Sequence, residues 1–346
     1  MFGLTLVLAA LLLWLQPEAL WLKMLAIFVL AWWLPGLLLI ALWRLPEIDA
    51  LTALLLALAI GWAWLVGVGL LLHWLPGPVT VNLIGAGYGI GGFLLWLVLF
   101  RRPPLPFQAT PSRVWLQAGL LLAGLLLLWL PTLGAREFFH DETTVLVQAR
   151  AALRGVADAP ARHTKGPGEI IAAMVFYRSL GTTNEFYARL PFASAGIGAV
   201  LLMLPLGRRL FSAQVGLWAA LLLGVNGYVV ALARMTQYQG PLLLLAGAAV
   251  LAVWCATHRP AAPGKISLAW LWLAVAVTAA GLVMHSELVL LCPAQLAMLI
   301  VGSGRRLLTR RQVVATDRVA LANGFLVAVV YGQMVGSDRF TSSTQF

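Results

Sequence analysis

Long apolar runs, interrupted by short stretches rich in Arg, Pro and Gly, set the pattern of this chain from its second residue onward. A helix crossing about 30 Å of hydrocarbon needs close to 20 apolar residues. Runs of that kind fall at 2–15, 19–43, 50–75, 79–100, 114–133, 190–206, 214–233, 241–257, 267–283, 288–302 and 319–335. The pattern predicts an all-α, polytopic integral membrane protein with about 11 transmembrane helices, the first and several later ones short. One segment departs from it. Residues 134–189 are too polar to span, and their apolar positions (Val145, Leu146, Ala149, Ala152 and Leu153, then Ile170, Ile171, Met174 and Val175) predict two interfacial helices. Asp141 and Glu142 should open the first, Gly155 should close it, and Pro167 should start the second.

Composition supports the same reading. Of 346 residues, 62% are hydrophobic and 10% charged, and the mean hydropathy is +0.93. Soluble domains carry about 25% charged residues, so lipid must replace water around much of this chain. Cys255 and Cys292 both sit in apolar runs, which implies neither a disulfide framework nor a thiolate metal site. Residues 1–15 lack a basic leader and a small-residue cleavage site, so they are expected to stay as an anchor.

The net charge of +11 bears on orientation. If the runs alternate across the membrane, Arg44, Arg101, Arg102, Arg113, Arg208, Arg209, Arg259, Lys265, Arg305, Arg306, Arg310, Arg311 and Arg318 share one face, and Arg234 and Arg339 the other. Basic residues collect in cytoplasmic loops. The first face is therefore read as cytoplasmic, the N-terminus as inside and the C-terminal tail as outside, in a multi-pass protein of the cell (plasma) membrane. The basic excess is accounted for by topology and implies no nucleic acid partner.

That orientation puts 134–189 on the extracytoplasmic side. It holds Glu137, Asp141, Glu142, Asp158, Glu169 and Glu185, half of the 12 acids, together with His140 and His163. Asp141 and Glu142 suit a helix N-terminus, where acids complement the dipole, and equally a general base partly shielded from water. Arg234 is a snorkelling cation or a phosphate ligand. His285 and Glu287 form a structural pair at a helix turn or a part of the site. Lys165 is a solvated lysine or a second cation. Arg189 is an interface anchor, with Glu185 placed to pair with it at i,i+4. His73 and Lys23 have no partner legible in the sequence. Arg234, His285 and Glu287 lie at successive outer helix ends, so a bundle would gather them beneath 134–189 as a candidate site.

The outer segment resembles the GT-C glycosyltransferases, close to the protein O-mannosyltransferase and lipid A aminoarabinose transferase branch. The likeness is carried by Phe139-His140-Asp141-Glu142, Gln148-Ala149-Arg150, His163-Thr164-Lys165-Gly166-Pro167-Gly168 and Leu180-Gly181-Thr182-Thr183-Asn184-Glu185-Phe186-Tyr187-Ala188-Arg189-Leu190-Pro191. Gly207-Arg208-Arg209-Leu210-Phe211 and Ala233-Arg234-Met235-Thr236-Gln237-Tyr238 follow in order. The resemblance spans about 114–335 and implies a seven-span module with its acidic motif in the first outer loop. It divides the chain into a four-span extension (1–113), a GT-C-like module (114–335) and a polar outer tail (336–346).

The resemblance further implies transfer of a sugar from a polyprenyl-phosphate donor to an acceptor on a protein, lipid or glycan at the outer face. Asp141 would be the base, supported by Glu142. His163, Lys165, Arg189, Arg234, Tyr238, His285 and Glu287 would be substrate-binding, with Lys165 and Arg234 on the phosphate. Gln239 stands where relatives often carry an acid, and Thr164 where the aminoarabinose transferases have a Glu before the lysine. No cofactor is implied with certainty; a divalent cation held by His163, His285 and Glu287 is one possibility. Relatives usually continue past the point where Phe346 lies. A lipid-linked-sugar flippase and a catalytically incomplete scaffold are the competing readings; nearly charge-free mid-span positions count against the first, whereas Gln239 favours the second. Sugar and acceptor are not encoded legibly.

Overall fold

The computed structural model describes residues 2–100, 107–162, 165–182, 184–258 and 267–303. The described residues are all-helical, without a strand. They form α1 (Phe2–Leu15), α2 (Leu20–Ile27), a π-helical turn (Phe28–Trp33) continuing into α3 (Leu34–Trp43), α4 (Ala50–Trp74), α5 (Val81–Phe100) and α6 (Ser112–Trp129). Then follow α7 (His140–Leu153), α8 (Pro167–Leu180), α9 (Glu185–Leu210), α10 (Ala213–Val225), α11 (Gly227–Ala233), α12 (Gln239–Thr257), α13 (Leu268–Met284) and α14 (Cys292–Ser303).

Among the described residues six stretches are long and apolar enough to cross a membrane: Leu20–Trp43, Ala50–Trp74, Val81–Phe100, Ser112–Trp129, Glu185–Leu210 and Gln239–Thr257. The α10 and α11 pair makes a seventh if counted as one span, bent by 67° at its break. Asn226 explains the bend. Its side chain accepts hydrogen bonds from the Tyr228 and Val229 N–H groups, both at 3.1 Å, capping a new helix where the previous one ends. Gly3–Leu15, Leu268–Met284 and Ser286–Leu299 are apolar but shorter. Each run expected before residue 304 thus coincides with an apolar helix. The expected count of eleven spans is not reached by length and composition, and the run 319–335 lies outside the described residues.

Lipid tails are as apolar as leucine, so close packing must replace the hydrophobic effect in holding these helices together. Gly36 and Gly61 let α3 and α4 touch backbone to backbone; a Cβ on either would collide with the opposite main chain, at Ala57 and Trp32 respectively. The π-helical turn presents Trp32 edge-on to Trp62 at 4.8 Å, and Trp62 meets Phe192 of α9 at 5.5 Å. Each indole N–H finds an acceptor, Trp32 the Leu58 carbonyl at 2.7 Å and Trp62 the Met284 sulfur at 3.4 Å, as buried tryptophans generally require.

The two helices of the polar segment form where expected. Asp141 and Glu142 stand in the first turn of α7, Gly155 follows its end at φ +83°, and Pro167 begins α8. The surroundings of α8 differ from expectation. Ile170 to Phe176 are all buried, against α2, α4, α5 and α13, instead of lying at an interface. The stripe of Ile170, Ile171, Met174 and Val175 is completed around the helix by Ala172, Ala173 and Phe176. A helix apolar on every side is a core helix.

Polar ties join the early helices to the later ones at both ends of the bundle. At one end Asp49, capping α4, accepts from Thr52 and Thr110 and pairs with Arg208. There Arg209 donates to the Glu47 carbonyl at 2.8 Å, and Trp270 to that of Pro46 at 3.1 Å. At the other end His73 Nε2 donates to the Ala157 carbonyl at 3.0 Å, the Val79 N–H to that of Leu153 at 3.1 Å, and Lys23 to that of Leu180 at 3.5 Å. His73 and Lys23 thus acquire partners that the sequence did not disclose.

Candidate active site

Glu142 is the anchor of the polar segment. As the third residue of α7 it reaches back to the Phe139 N–H at 2.9 Å, satisfying one of the free N–H groups at the helix start. Its other contacts come from distant chain. Arg189, the fifth residue of α9, grips both carboxylate oxygens at 2.8 Å, and the Thr236 N–H donates to Oε1 at 2.8 Å. The rest of the guanidinium donates to the carbonyls of Leu133, Arg136 and Glu137, each at 2.9 Å. All five Arg189 N–H groups are therefore occupied by the protein. Burial pushes the Glu142 carboxyl up, yet the hydrogen bonds from Arg189, Thr236 and Phe139 outweigh it and leave the group below its ordinary value.

Every Arg189 donor is taken by the protein and Glu142, at 1% exposure, has its acceptor positions filled, although both residues line the cavity on which Asp141 opens; Arg189 pairs with Glu142 instead of Glu185. The pair holds the 133–142 stretch to the start of α9 and to the 234–238 turn.

Asp141, one residue earlier, faces a different environment, with 43% of its side chain exposed. Lys165 Nζ lies 3.1 Å from its Oδ2. That hydrogen bond is the largest cause holding the Asp141 carboxyl below the usual carboxylate range; the neighbouring Gln237 amide and His140 add to it. Lys165 is placed by its backbone. Its carbonyl accepts from the Ser286 N–H at 3.3 Å, and the following Gly166 presses on the end of α13, where a Cβ would sit 2.5 Å from the Met284 carbonyl. The Gly166-Pro167-Gly168 motif is thus a close crossing under the Met284-His285 turn.

The same ammonium stands 5.5 Å above the Tyr238 ring, a cation–π distance. Tyr238 stacks on His285 at 4.0 Å. Buried His285 accepts from the Glu287 N–H through Nδ1 at 3.1 Å, with the Glu287 carboxylate at 3.7 Å. His285 therefore lies behind Tyr238 and supports it. Arg234 ends α11. Its Nη2 donates to Thr132 Oγ1 at 2.6 Å, its buried Nε has no partner, and no carboxylate pairs with it among the described residues. Burial and then the charge of Arg189 lower its affinity for its proton, so a bound anion would relieve both.

Asp141, Lys165, Arg234, Tyr238, Gln239 and Glu287 all open on one cavity of about 1250 Å³, which is also lined by Arg136, Gln237 and apolar side chains such as Val229, Leu242 and Leu243. This exceeds the roughly 300–1,000 Å³ of common small-ligand pockets. Thr132 and Arg136 are cavity residues that the sequence reading passed over, and Gln237 stood there only as part of a quoted motif with no role given. His163 lies outside the described residues. Among the described residues no group of three or more His, Cys, Asp or Glu is placed to hold a metal ion, and the Nδ1 lone pair of His285 is already committed.

Residues 170–331 match the family model described as dolichyl-phosphate-mannose-protein mannosyltransferase. The match covers just under half of the chain and supports a likeness to the GT-C glycosyltransferases. No curated protein and no solved structure matches the chain. The candidate site straddles the edge of the matched region. Arg189, Arg234, Tyr238 and Glu287 fall inside it, whereas Asp141, Glu142 and Lys165 precede it. Glu142 with Arg189, and Lys165 with Tyr238, join the two parts.

Proposed function

We propose that this chain is a GT-C glycosyltransferase that moves a sugar from a polyprenyl-phosphate donor to an acceptor hydroxyl at the outer face of the membrane. One observation carries the reading: a single cavity holds an accessible carboxylate, Asp141, and two cations, Lys165 and Arg234, that come from separate parts of the chain. The Asp141 carboxylate takes the proton of the acceptor hydroxyl. The freed oxygen attacks the anomeric carbon from the side opposite the phosphate, the carbon–oxygen bond to the phosphate breaks, and its electron pair leaves on polyprenyl phosphate. The sugar is inverted at that carbon. Lys165 and Arg234 offset the negative charge that grows on the departing phosphate, with the guanidinium suited to bidentate contact. Glu142 and Arg189 act as positioning residues that fix the turn carrying Asp141.

The family description names a dolichyl-phosphate mannose donor and a protein acceptor; a polyprenyl-phosphate sugar and a protein are accordingly the first donor and acceptor to test. The outer-face assignment rests on the arginine-rich loops at the opposite end, Arg208 and Arg209 among them. A photoreactive polyprenyl-phosphate sugar tests the reading. Crosslinks should map to the 132–142, 165 and 234–243 segments and be lost on Arg234→Met. Labelling confined to the lipid-facing sides of α5 or α6 would overturn it.

A further inference from the structure

The cavity wall beside Asp141 contains two glutamines that the transfer step does not use. Gln237 is 3% exposed, yet its side chain lines the cavity. Gln239 Nε2 donates to Gln237 Oε1 at 2.9 Å, which locks the two amides together. Gln237 Nε2 leans toward Asp141 without making a full hydrogen bond to it, and both that Nε2 and Gln239 Oε1 are buried with no partner at hydrogen-bonding distance. One is a donor and the other an acceptor, and they come from the same short turn. A buried polar atom without a partner is costly, and native proteins keep such atoms mainly where a ligand or water completes them. The turn itself is fixed from behind: the Thr236 N–H is bound by Glu142, and Gly240 lies so close to α9 that a Cβ would meet the Phe192 carbonyl at 2.5 Å. The amides are thus held rigidly in place before any ligand arrives.

Resting on the transferase reading above, we infer that Gln237 and Gln239 are specificity residues, which read two neighbouring hydroxyls of an uncharged sugar ring on the donor. A donor–acceptor amide pair matches a diol, in which one hydroxyl accepts from Gln237 Nε2 while the other donates to Gln239 Oε1. Neither amide supplies a charge to pair with an ammonium or a carboxylate on the sugar. A charged group on an amino sugar or a uronic acid gains no ion pair from either amide, so at these two positions a hydroxyl is the better match. Position favours the donor sugar as the occupant. The Gln237 amide adjoins Asp141, and the anomeric carbon must lie within one bond-forming contact of the oxygen that Asp141 deprotonates.

Equilibrium binding to the purified full chain tests this without requiring turnover. Three probes are compared: polyprenyl phosphate, a polyprenyl-phosphate hexose, and the same lipid carrying singly deoxygenated hexoses. Wild type should bind the hexose donor more tightly than at least one deoxy analogue, by about tenfold for each hydrogen bond lost to a buried partner. Gln237→Ala and Gln239→Ala should abolish that discrimination while binding polyprenyl phosphate as wild type does. Gln239→Glu should shift preference toward an amino-sugar donor. Equal discrimination in wild type and both alanine variants would overturn the inference, as would parallel losses for sugar-free and sugar-bearing lipid, which mark a structural role. If hexose discrimination holds and depends on the amides but no acceptor is ever glycosylated, the transferase reading fails and the sugar site stands.

Discussion

At the residue scale, two adjacent acids have been given different work by their surroundings. Glu142 is enclosed and saturated by Arg189 and two backbone N–H groups; Asp141 is accessible and meets one ammonium. The Asp141 carboxyl lies below its ordinary value because of Lys165. As a base it should stay ionised as pH falls through the usual carboxylate range, and the acid limb of the kcat/KM profile should lie below that range. Lys165→Met should move the limb to higher pH and lower the rate. A limb that stays in place would show that Lys165 does not act on the base. Glu142→Gln should instead destabilise the protein, by about 3–5 kcal/mol, because it strands the buried Arg189 charge; chemical unfolding in detergent measures this. Since the Glu142 carboxyl is also depressed, its contribution is present above the ordinary carboxylate value and is lost as pH falls through the folded value. The adjacency of Asp141 and Glu142 was plain in the sequence. Their division of labour was not, because it depends on Arg189 and Thr236, 47 and 94 positions further along the chain.

At the scale of elements, the turn around Gly166 links the polar segment to α13. A methyl group there would meet the Met284 and Val283 carbonyls at 2.5 and 2.6 Å, and backbone atoms cannot rotate aside as a side chain can. Gly166→Ala should therefore displace Lys165 and cut transfer at least about tenfold, since misplacement of about 1 Å can cost a hundredfold. Gly119→Ala in α6, where a Cβ meets nothing within 4 Å, should leave transfer unchanged; assays of the two variants side by side settle the point. Apolar run lengths predicted the spanning helices and their order well. They failed on α8, whose residues 170–176 are apolar on every side and enclosed by helices far away in the chain, and on the break at Asn226, where a single capping side chain divides an otherwise continuous apolar run.

For the whole molecule, one shared core runs from α1 to α13, and the early helices grip the later ones at both ends through Asp49 with Arg208 and through His73 with Ala157. The helices before residue 100 enclose α8, whose N-terminus carries the Lys165-Gly166 turn, so they help set the depth at which Lys165 meets Asp141. Charge scarcity directed the reading of the sequence to 134–189, and of the acids there Glu137, Asp141 and Glu142 line the cavity together with Lys165 and Arg234. The central claim is that Asp141 is the base of a sugar transfer from lipid phosphate. Its most direct test compares wild type with Asp141→Asn for transfer of a radiolabelled sugar from polyprenyl phosphate to acceptor, at equal membrane insertion and equal donor binding. The account predicts that the asparagine variant binds donor but transfers at less than about one hundredth of the wild-type rate, the scale of a lost general base. Transfer at the full wild-type rate would contradict it.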